Sequence, residues 1–153
     1  MTTVLGLLSG MDSFASFSEA QRKALAKLMK LSEVEDGHEL TRQGQPGTVC
    51  HLLVQGEVVV TRKDEVTGES KDLKVLRPGE IFGILSLLGK IPAAATCRAR
   101  GAVTVASLPR EDYQLLFKVD APMAYHFQWL VAQQLARDLK ARNDALRALL
   151  ASD

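Results

Sequence analysis

Hydrophobic and polar positions divide the chain into helix, strands and helix. Ser18 and Gln21 stand at S-x-x-Q spacing, in which each side chain satisfies a free backbone donor of the other. Leu25, Leu28 and Met29 then recur at helical spacing among Arg22, Lys23, Lys27 and Lys30, so 18–31 reads as an amphipathic helix. From 37 to 108 the runs become short, β-branched or alternating: 38–42, 49–54, 57–63, 71–76, 81–82, 95–100 and 102–108. Gly44-Gln-Pro-Gly47, Gln55-Gly56, Thr67-Gly68 and Arg77-Pro-Gly79 separate them. Regular short strands with such turns predict an antiparallel barrel or jelly roll. Residues 85–88 are apolar and unbranched, which suits a helical turn.

After Pro109 the helical period returns. Tyr113, Leu116 and Phe117 sit at i, i+3, i+4. Asp120 can cap a further helix with Pro122 in its first turn. That helix is expected over 121 to about 150, some 45 Å long at 1.5 Å per residue. Val131, Leu135, Leu139, Leu146 and Leu150 form a stripe along it, with Ala132 and Leu149 beside it and Asn143 interrupting it. A helix that outgrows its own domain needs a second surface, and a homodimer through this stripe is the expectation. The whole reads as one domain: a helical lead-in at 14–31, a barrel at 37–108 and C-terminal helices at 110–150. The fold class is mainly β with flanking helices.

Composition narrows the function classes. The chain has 153 residues, with 19 Lys+Arg against 18 Asp+Glu and a net charge of +1. A free-standing nucleic-acid binder is usually far more basic. Cys50 and Cys97 lie in no metal or disulfide spacing, which suits a reduced cytoplasm. No targeting segment or membrane span is visible, and the Ala, Leu and Arg content suggests a bacterial source.

Two glycine-punctuated stretches carry a resemblance. GHELTRQGQPGTVCHLLVQGEV, residues 37–58, and GEIFGILSLLGKIPAAAT, residues 79–96, are similar to the cyclic-nucleotide-binding domain of catabolite-activator-type regulators, kinase regulatory subunits and gated channels. The second stretch resembles the family's phosphate-binding cassette without a gap from Phe82 to Thr96, and the likeness runs over about residues 17–145. The resemblance implies a jelly roll with a short helix whose N-terminal amides cradle a cyclic phosphate. It also implies an arginine on that phosphate and a glutamate on the ribose hydroxyl.

Both side chains are replaced here. Ile84 stands where the glutamate belongs and Ala93 where the arginine belongs. Gly83, Leu85, Ala94 and Thr96 keep the cassette's shape and some backbone donors. Charge-assisted bonds contribute ~1.5–3 kcal/mol each, so losing two costs about 3–6 kcal/mol. At ~1.4 kcal/mol per decade, that is on the order of a hundred- to ten-thousand-fold in affinity. Lys90 in the cassette loop and Arg98 on the next strand are the cations placed to substitute. The pocket formed by Gly83, Ile84, Leu85, Ala93, Ala94 and Thr96 is therefore expected to be vestigial.

No constellation supports catalysis. Gly83 and Gly89-Lys90 miss Walker spacing by one residue, and Ile91 stands where Ser or Thr must hold magnesium. His38, His51 and His126 are scattered, so no metal site is expected. Ser86 lies outside a G-x-S-x-G elbow. The chain stops at Asp153 without a helix-turn-helix, so DNA reading is not expected. The reading is a non-catalytic regulatory module, without cofactor, acting on an unidentified protein partner. The alternative is a signalling sensor that binds a cyclic nucleotide or cyclic dinucleotide by an altered mode.

Overall fold

The computed structural model describes residues 3–151. The N-terminal helices are α1 (Val4–Ser9) and α2 (Glu19–Leu28), joined through a 3₁₀ turn at Asp12–Phe14. Thr3 caps α1 by accepting from the Gly6 amide at 3.1 Å. This helix was not foreseen, because at six residues it is too short to show a period. The capping box of α2 forms as expected: Ser18 Oγ accepts from Gln21 N at 3.1 Å, and Gln21 Oε1 accepts from Ser18 N at 2.9 Å.

The expected helix over 18–31 ends early. Met29 turns to an extended conformation, φ −94° and ψ 142°, and strand β1 (Lys30–Val34) follows. The strand was missed because Lys30 and Leu31 continue the amphipathic alternation of α2. What decides the matter is long-range pairing with β6, from Lys30 opposite Ser107 to Val34 opposite Val103. The sheet therefore begins before residue 37.

The remaining strands are β2 (Glu39–Thr41), β3 (Val49–Lys63), β4 (Ser70–Leu76), β5 (Ile81–Phe82) and β6 (Thr96–Pro109). They form one antiparallel sheet in the order β1-β6-β3-β4, with β2 on β6 and β5 on β3. This is the jelly-roll arrangement with helices at both ends that the pattern predicts. Two pairs of expected strands are single long strands. Gly56 at φ +94° lies inside β3 and Gly101 at φ +76° inside β6, so each strand kinks without ending. The β3–β6 register shifts between Leu53 and Gln55 and again between Gln55 and Glu57.

Alternation along the strands creates two cores, because successive side chains point to opposite faces. Leu53, Phe82 and Val105 join the barrel interior with Val58, Leu76, Cys97, Ala99 and Val103. Their neighbours Leu52, Ile81 and Ala106 join the helical core with Phe14, Leu25, Leu116, Met123 and Phe127. A short helix α3 (Leu85–Leu88) follows β5, and α4 (Arg110–Val119) and α5 (Ala121–Ala151) close the chain. Asp120 Oδ1 accepts from Met123 N at 3.2 Å and caps α5 as expected.

Candidate functional site

The cassette starts where β5 turns into α3. Gly83 adopts φ +70°, and a Cβ there would stand 3.1 Å from the Val49 carbonyl oxygen. A side chain is thus disfavoured both by the left-handed backbone and by the approach of β3. Turn bonds lead into the helix, from Ser86 N to Gly83 O at 3.1 Å and from Leu87 N to Ile84 O at 3.0 Å. Amides N-terminal to these precede the first internal acceptor. Ile84 is the N-cap and offers no side-chain bond. Gly47, on the loop before β3, lets that loop approach the buried Ser86, whose Oγ lies 2.4 Å from where a Cβ would stand. Arg110 Nη1 donates to the Ser86 carbonyl at 3.4 Å, tying α4 to α3.

Ile84 is only 7% exposed and belongs to the helical core, the same cluster as Cys50, Leu52 and Leu87. Leu85 is half-buried. Ala93 is held by backbone: its amide donates to Gln45 O at 3.0 Å, and its carbonyl accepts from Gly44 N at 2.9 Å. Ala94 is exposed and Thr96 half-buried, its Oγ1 accepting from Gln43 N at 3.0 Å. Gln43 also closes the end of β3, pairing its amide with both backbone groups of Lys63 at 2.7 and 2.8 Å. Its role is missed by sequence reasoning, since a loop glutamine carries no periodic signal. The six cassette residues carry no charged side chain. Of the two candidate cations, Arg98 lies 3.5 Å from Glu39 on β2, and Lys90 is exposed.

Residues 31–120, more than half the chain, match the family model described as the cyclic nucleotide-binding domain. The chain belongs to the cyclic nucleotide-binding domain family. It is 30% identical over 114 residues to a cGMP-dependent protein kinase of Caenorhabditis briggsae, covering 74% of this chain and 15% of that one. It is 31% identical over 111 residues to a cAMP-dependent protein kinase regulatory subunit of Yarrowia lipolytica, covering 72% and 28%. The crystal structure of the Thermus thermophilus catabolite activator protein superposes with TM-score 0.76 at 27% identity, covering 90% of this chain and 62% of that one. The chain thus spans a minor part of the length of both of these relatives.

Both cysteines of this domain are free and buried. Burial pushes the Cys50 thiol up to about 12 and raises that of Cys97. Nucleophilic cysteines need the opposite shift.

On α5 the expected stripe splits. Val131, 7% exposed, packs into the helical core with Met123, Phe127 and Leu130, so in this structure it faces its own domain. The sequence stripe ran through it because Val131 and Leu135 are spaced by four, yet Val131 sits roughly 80° around the helix from Leu139 at 100° per residue. Leu135, Leu139, Leu146 and Leu150 are 39–68% exposed. Tyr125 and Trp129 are also exposed, at 62% and 54%, but Trp129 lies roughly 80° around the helix from Leu139 on the flank opposite Val131. After Asp138 every described residue of α5 is exposed. Among the described residues, no helix is long and apolar enough to cross a membrane.

Proposed function

We propose that this domain is a non-catalytic regulatory module that does not hold cAMP or cGMP in the family's usual way, and that it acts through protein contacts made by α5. The observation that carries the reading is Ile84. It stands where the family resemblance implies a ribose-binding glutamate, and its side chain is buried among apolar neighbours. Ala93 adds to this by leaving a cyclic phosphate with backbone donors and no counter-charge. An outward apolar side on a 31-residue helix supports a second copy as the partner surface. A seam through Leu139, Asn143, Leu146 and Leu150 places Asn143 at a central position, where a polar residue fixes register between two helices.

Isothermal titration with cAMP, cGMP and a cyclic dinucleotide tests the pocket. The expected dissociation constants for cAMP and cGMP are on the order of 1 mM or weaker. A micromolar constant for either one overturns the reading.

A further inference from the structure

Strand β5 has only two residues and one strand partner, β3. In an antiparallel pair, bonded and non-bonded positions alternate. Here Leu53 N donates to Glu80 O at 2.9 Å, while Ile81 sits opposite Leu52. The N–H and C=O of Ile81 therefore face away from β3, toward α5. Ile81 is 3% exposed, so water does not satisfy these groups.

Gln134 of α5 supplies both partners. Its Oε1 accepts from Ile81 N at 2.9 Å, and its Nε2 donates to the Ile81 carbonyl. A carboxamide presents donor and acceptor side by side, as the edge of a neighbouring strand would. One turn further along α5, Asp138 lies 3.4 Å from Lys74, which also binds Glu80 at 2.8 Å, the residue before Ile81. Eight residues before Gln134, His126 stacks on Phe17 with ring centroids 3.9 Å apart and contacts Gln21 and Ser16 at 3.2 Å. The helix is thus fixed to the N-terminal helices at one point and to the cassette strand at another.

We propose that Gln134, backed by Asp138, is a latch that docks α5 onto the strand leading into the cassette, so that helix and cassette hold one another's position. Gln134 is the polar residue on a buried face otherwise made of Met123, Ala124, Phe127, Leu130 and Val131. Nothing in the latch depends on nucleotide binding or on a second copy, so its failure and theirs are separable.

Residue-resolved amide exchange on the full chain, without nucleotide, tests it. Gln134→Leu keeps the volume and removes both bonds. Exchange at Ile81 and at residues 130–138 is expected to rise together by about tenfold, while Val58, Val105 and the His126 end of α5 keep their wild-type protection. A rise of the same factor everywhere, or a rise at Ile81 without one on α5, overturns the latch. Should Gln134→Leu fail to fold, the exposed change Lys74→Ala carries the test. A rise of about threefold confined to residues 80–82 and 134–138 supports the latch, and an unchanged pattern overturns it.

Discussion

His51 Nδ1 lies 2.8 Å from the Ser107 hydroxyl, across the β3–β6 ladder where the two residues are direct partners. The ring also stacks on Phe82 at 5.1 Å. Burial lowers the imidazole from its ordinary 6.5 to about 4, a shift that a hydrogen bond to the Leu40 backbone partly opposes. The fold therefore holds the neutral ring. Below pH 6.5 the unfolded chain takes up a proton that the folded chain refuses until about pH 4. The stability contribution is complete above pH 6.5 and is lost as pH falls toward 4, amounting to ~3 kcal/mol. Urea midpoints between pH 7.5 and 4.5 should show this slope, and His51→Gln should flatten it. An equal slope in the variant would assign the acid sensitivity to other groups.

Two glycines separate backbone strain from collision. Gly56 and Gly68 both have positive φ, +94° and +75°. A Cβ on Gly68 meets nothing within 4 Å, whereas one on Gly56 stands 2.6 Å from the Ala102 carbonyl oxygen in the facing strand. Gly68→Ala should cost about 1–2 kcal/mol, the left-handed penalty alone. Gly56→Ala adds overpacking against backbone and should cost at least ~3 kcal/mol. At ~2–4 °C per kcal/mol, thermal scans resolve the difference. Equal melting temperatures would show that the β3 kink relaxes freely.

What was legible in the sequence follows the range of the interaction behind it. The Ser18 capping box, the Asp120 cap and the glycine turns are local, and they appear where the spacing put them. The 85–88 turn likewise falls in place because an unbranched apolar run needs no distant partner. Strand β1 was hidden because its reason is β6, some seventy residues away by way of Ser107 and Val103. The two long strands were read as four because a kinking glycine and a terminating glycine look alike in sequence. Spacing alone puts Val131 on the outward stripe because one helix carries two apolar faces, and only packing separates them. Gln134 was invisible for the same reason, since its partners are backbone atoms of a two-residue strand.

Restoring the family's side chains should work unequally. Ala93 is half-buried in a loop held by backbone bonds, so Ala93→Arg has room to reach solvent. Its guanidinium can grip two phosphate oxygens at once. Ile84 is 7% exposed in an apolar cluster, and Ile84→Glu puts a carboxylate there. An uncompensated buried charge costs about 3–5 kcal/mol. Ala93→Arg alone should therefore raise cAMP affinity by about tenfold, one charge-assisted bond's worth. Ile84→Glu alone should lower the melting temperature without adding affinity. If Ile84→Glu melts like the parent and the double variant binds cAMP tightly, position 84 opens onto a true pocket.

The C-terminal helix gives the sharpest separation of partner contacts from folding contacts. Leu139 and Leu146 are 61% and 56% exposed on the outward side, so the single chain gains little from them. Two apolar side chains buried in a helical seam contribute roughly 1.5–3 kcal/mol each. Leu139→Lys with Leu146→Lys should convert a dimer to monomers in light scattering while leaving the melting temperature of the monomer nearly unchanged. Val131 packs against the domain itself, and Val131→Ala removes two carbons from that core, costing about 2 kcal/mol by lost transfer and cavity. That variant should melt several degrees lower yet keep the dimer's mass. A wild-type chain that stays monomeric at high micromolar concentration would remove the second copy as the occupant of this face.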